Sequence, residues 1–252
     1  LAGTKLASES NATLVSLLWT FSVLILVIGA HSKEILGINF IMLGTVLQTL
    51  AMMAIILNQL LTISNATRTM AIPGWLIIFG LIGDPAAVLS VILSGAYETG
   101  VGQWLVYHMI GGTFFFCGVA GISLYASSMG SGNPLWSRTL VGVTLFGAII
   151  AINPMGETDM TMAVDMLGLE ASEIAASSQD HISGSFLMAL AAIPIIAFSS
   201  NLLVTLRGNG AFVGNSDSPG IAEMNMGAWM LIPVAIGSLF VQTDALGGAG
   251  EL

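Results

Sequence analysis

The sequence predicts an all-α fold: a polytopic bundle of seven transmembrane helices forming a single membrane domain, with one amphipathic helix on its surface. Three observations carry this expectation. Only 8% of the 252 residues are charged while 55% are hydrophobic, and the mean hydropathy is +0.92, whereas a soluble domain carries roughly 25% charged residues. The apolar residues are gathered into long continuous runs, each close to the ~20 residues that a spanning helix needs. Those runs lack the short alternation of outer-membrane strands, and helices satisfy their own backbone groups in lipid.

The runs place spans at about 12–31, 35–63, 72–97, 103–128, 137–154, 182–206 and 225–242. The first ends at His31, and the second carries Gln48 near its centre. The third contains Asp84-Pro85 at its middle. Proline lacks an N–H and pushes the preceding residue out of helical geometry, while Asp is a favoured cap, so this span is expected to be two half-helices meeting at midplane. The fourth holds Gly111, Gly112, Gly118 and Gly121, which permit close helix approach, and carries Thr113 near its centre. Thr144 is central in the fifth, Pro194 in the sixth and Pro233 in the seventh, and Ser199 to Asn201 can bond across helices.

Two connections are long. In 155–181, Met160, Val164, Leu167, Ala171 and Ile174 recur at helical spacing, which predicts an amphipathic helix along the outer membrane surface. The stretch 207–224 is rich in Gly, Asn and Ser and reads as a loop. A weak likeness between Gly74-Trp75 through Gly83 and Ala228-Trp229 through Gly237 fits a three-plus-one-plus-three repeat, and fits chance in an apolar alphabet nearly as well.

Basic residues set the expected orientation, because they concentrate in cytoplasmic loops. Lys5, Arg68, Arg138 and Arg207 fall on one side of the seven spans, and Lys33 alone falls opposite. The chain is therefore expected to be a multi-pass protein of the cell membrane with a cytoplasmic N-terminus and an outer C-terminus. Ten of the fourteen acids then lie outside. Such an acidic exterior attracts cations and disfavours nucleic acid as a partner, and it also fits simple adaptation to a salty medium. The sequons at Asn11 and Asn65 fall on the inner side, where glycosylation is not expected.

Asp84 is the central candidate. A carboxylate at bilayer depth costs about 2.5–3.5 kcal/mol even on the mild insertion scale, so it needs a partner or a task. Gln48, Thr113 and Thr144 share its expected depth, and with Asp84 they are the candidate substrate-binding residues for a small solute or cation. The plainer reading is a cap on the second half-helix, bonded to Gln48. A separate set, His31, His108 and His181, lies near the outer boundary and could ligate copper, zinc or a haem, with Glu34, Glu157 or Asp180 beside them. None of these histidines has a recognised ligand spacing. Cys117 is the single cysteine and sits inside an apolar run, so no disulfide framework is expected.

Known seven-helix classes fail at their own motifs. A retinal protein needs a lysine in the last helix, and the only lysines are Lys5 and Lys33. No Asp-Arg-Tyr follows the third span, no Pro-Gln pair occurs, and the last span holds no histidine. No catalytic residue is assigned, and a binding or translocating role is preferred to an enzymatic one. The alternatives are a subunit of a membrane oxidoreductase with a metal or haem centre at the outer face, and a scaffold subunit. The expected partners are the lipid bilayer, a small solute or cation, and other membrane subunits or a second copy.

Overall fold

The computed structural model describes residues 4–32, 34–94, 109–151, 189–209 and 220–241. They form helices α1 (Glu9–His31), α2 (Phe40–Ser64), α3 (Ile72–Ser94), α4 (Gly118–Ser131), α5 (Arg138–Ala151), α6 (Ala192–Thr205) and α7 (Ile221–Val241). A π-helical stretch, Met109–Cys117, runs directly into α4. The expected surface helix at 155–181 lies outside the described residues.

α1 and α2 form an antiparallel pair fastened at both ends. At one end the chain makes a two-residue hairpin in which Glu34–Ile35 (β1) pairs antiparallel with Ile38–Asn39 (β2). Leu36 and Gly37 at its tip have φ of 55° and 77°, as the tight turn that matches strand twist requires. Asn39 then caps α2, its Oδ1 accepting from the Met42 amide at 2.9 Å. The second helix thus begins at Phe40 and not at 35, because the backbone groups of 34–39 are spent on the hairpin and the cap.

At the other end, Asn58 holds the start of α1. Its Oδ1 accepts from the Ser8 amide (3.1 Å) and its Nδ2 donates to the Ser8 carbonyl (2.8 Å). Thr62 accepts from the Ala7 amide at 3.0 Å. Ser8 caps α1 in turn, accepting from the Asn11 amide.

The core sits among the later helices. Leu76 of α3, Leu124 of α4, Val141 of α5, and Phe198 and Leu202 of α6 close into one buried cluster, with Phe116 edge-on to Phe198 at 5.7 Å. Polar side chains tie these helices together. Asn201 accepts from the Ser137 amide (3.0 Å) and donates to its carbonyl (2.9 Å), and Ser199 donates to the Ala228 carbonyl at 2.6 Å. Gly132, with φ 69°, ends α4 in the left-handed geometry that suits glycine.

Four described helical spans are long and apolar enough to cross a membrane: α1, α2, the Ile72–Ser90 part of α3, and Met109–Ser131. Half of the most apolar window of α3 is buried, against 17% for α1 and 22% for α2, so the α1–α2 pair offers most of its apolar surface outward. α5 and α6 have 14 residues each, a rise of about 21 Å, which is short of the ~30 Å hydrocarbon layer. Seven full spans are therefore not present among the described residues.

Candidate functional site

The third helix is continuous from Ile72 to Ser94 with Pro85 inside it, so the expected break at Asp84-Pro85 is not there. Proline removes one hydrogen bond and leaves the Leu81 carbonyl without its usual amide donor. A 23-residue helix packed on neighbours tolerates that single loss. What Pro85 supplies is a free carbonyl one turn before it, not a gap.

Asp84 stands about 18 Å along this helix from Ile72. It belongs to the inward face made by Leu76, Gly80, Gly83 and Ala87, while Trp75, Phe79, Ile82 and Leu89 are exposed on the other side. Asp84 itself is 7% exposed. Its Oδ2 is fully buried and has no hydrogen-bond partner among the described residues.

The π-helical stretch approaches α3 at the level of this carboxyl. A Cβ at Gly83 would lie 2.7 Å from the Phe114 amide nitrogen and 2.9 Å from Thr113 Cβ. At Gly80 it would lie 2.9 Å from the Gly118 nitrogen and 3.2 Å from the Thr113 carbonyl oxygen. Only glycine at these positions lets the two backbones come so near. About two turns further along α3, Ser90 donates to the Ala86 carbonyl at 2.7 Å and reaches Met109 Sδ at 3.8 Å. π-Helical geometry is uncommon and concentrates at functional sites, where it places carbonyls and side chains off the α-helical register.

The four expected binding residues lie on three helices and the π-helical stretch. Thr113 lies against Gly83, the residue before Asp84. Gln48 is half-buried on α2, but the expected pairing with Asp84 is not made at Oδ2. Amide and carboxyl sit on helices whose mutual rotation a depth count does not fix. Thr144 is fully buried and its hydroxyl donates to the Leu140 carbonyl of its own helix at 2.8 Å, which takes up its proton. Of the histidines, His31 is exposed at the end of α1, while His108 and His181 lie outside the described residues. Among the described residues no three His, Cys, Asp or Glu side chains converge to hold a metal.

Sequence reasoning missed Gly80 and Gly83 as the contact that brings Thr113 to Asp84. The Gly-x-x-Gly spacing ahead of the acid was the available signal, and it marks a close helix approach. No family model matches the chain, and no curated protein matches it significantly.

Proposed function

We propose that this is a membrane protein that binds or translocates a small cation or other small solute at Asp84, between α3 and the π-helical stretch. The observation that carries the reading is a buried carboxyl oxygen with no hydrogen-bond partner, set inside a helix at the middle of its length. An uncompensated carboxylate in such surroundings is costly, and a proton or a bound cation removes the cost. The Met109 carbonyl and Thr113, which pack against Gly83, and the Leu81 carbonyl one turn before Pro85 are candidate further oxygen donors, and oxygen donors suit hard cations. The experiment is flux through proteoliposomes driven by proton, Na⁺ and K⁺ gradients in turn. Asp84→Asn is expected to reduce the active flux to that of empty vesicles while the protein still inserts and purifies as wild type. Wild-type flux in that variant, under the gradient that drives the native protein, excludes the reading.

A scaffold role in a larger membrane complex is the second reading, favoured by the outward apolar surface of α1 and α2. It requires a stoichiometric partner on copurification from native membrane and indifference to Asp84→Asn.

A further inference from the structure

A groove of about 310 Å³ opens at the end of the molecule where α3 starts and α4 finishes. Ile72 and Pro73, Tyr125 and Met129, and Leu135 and Arg138 form its walls. Four of those six side chains are apolar. Trp75 lies two residues after Pro73 and Trp136 directly follows Leu135, and they are 49% and 50% exposed. Indoles so placed at the ends of apolar helices mark the headgroup level of a bilayer, which puts the groove at the depth of the lipid phosphates.

Arg138 is exposed at this groove, and no described carboxylate forms an ion pair with it. That is notable in a chain with a net charge of −9. We infer that the groove is a binding site for an anionic phospholipid. The guanidinium offers the forked donor set that matches phosphate oxygens, and the Tyr125 phenol adds a donor in the same wall. Ile72, Pro73, Met129 and Leu135 supply the surface for the first part of an acyl chain, which a soluble anion would leave uncovered. The volume lies at the lower end of that of ligand pockets, enough for a headgroup phosphate and the start of one chain. The site rests on α3 and α4 lying in a membrane and is independent of any role for Asp84.

The test uses the full chain in phosphatidylcholine nanodiscs that contain phosphatidylglycerol with brominated acyl chains, read by quenching of tryptophan fluorescence. Brominated phosphatidylglycerol is expected to quench at about fivefold lower mole fraction than brominated phosphatidylcholine, the scale of one basic residue near an anionic surface. Arg138→Gln abolishes that preference and Arg138→Lys keeps most of it. Met129→Glu, at a position 69% exposed, abolishes it with Arg138 intact. Replacing Trp75 and Trp136 with Phe removes the preferential part of the quenching. Equal quenching by the two lipids in the wild type, or a preference that survives Arg138→Gln, overturns the proposal. Loss of the preference when inorganic phosphate is added at constant ionic strength assigns a simple anion site, and that also overturns it.

Discussion

At the scale of single residues, most buried polar side chains finish a backbone, while among the described residues Asp84 Oδ2 and Asn11 Oδ1 are buried with no partner. Asn58 and Asn201 each accept from an amide and donate to the carbonyl of the same residue, Ser8 and Ser137 respectively. Each therefore acts as an external cap for a helix start on another element. Asn201→Ala strips both bonds from Ser137 and is expected to cost about 1–3 kcal/mol, read as a lower midpoint in detergent unfolding, with no change in flux. Asp84 caps no helix start, and its Oδ2 has no bond among the described residues. That contrast is why Asp84→Asn is expected to leave stability nearly unchanged and to remove function, the reverse of Asn201→Ala. The rarity of Asp84 and its place midway along an apolar helix were legible from the sequence alone. Its lack of a partner was not, because a depth count ranks Gln48, Thr113 and Thr144 equally and says nothing of rotation about each helix.

At the scale of elements, the long apolar runs announced most of the helices, and the differences lie where backbone hydrogen bonds were diverted. The 34–39 hairpin took six residues that carry an apolar pattern and would otherwise extend α2. The π-helical register of Met109–Cys117 has no residue signature of its own. It follows from packing, with Gly80 and Gly83 admitting a backbone that a side chain would hold off. Gly83→Val is expected to separate the two elements, costing about 1–3 kcal/mol from overpacking and lowering flux together with stability. Pro85→Ala separates the two effects in the other direction. It returns an amide donor to the Leu81 carbonyl, so the unfolding midpoint should hold or rise while flux falls. Full flux in a stabilised Pro85→Ala protein would show that this carbonyl serves no solute.

At the scale of the whole molecule, Lys5, Arg68, Arg138 and Arg207 lie at one end of the described helices. Lys5 precedes the strand of contacts to Thr62 at the end of α2, and Arg68 follows that helix. Arg138 shares a groove with Ala71 at the start of α3, and the Arg207 carbonyl accepts from Asn133 at 3.0 Å beside α5. Leu36, 97% exposed, stands at the opposite end, and the chain's single cysteine, Cys117, is fully buried, so labelling background is low. An impermeant maleimide should therefore modify Leu36→Cys in intact cells, and Thr67→Cys only after permeabilisation. The opposite pattern would reverse the orientation expected from the arginines.

The two fastenings of α1 to α2 bear on biogenesis. Every group they use lies before residue 66, so a nascent chain halted near Arg68 already holds both halves of each clasp. The pair therefore needs nothing from Asp84 or from any later residue to close. A released fragment of residues 1–68 in vesicles should unfold as one cooperative unit, and Asn58→Ala should lower its midpoint.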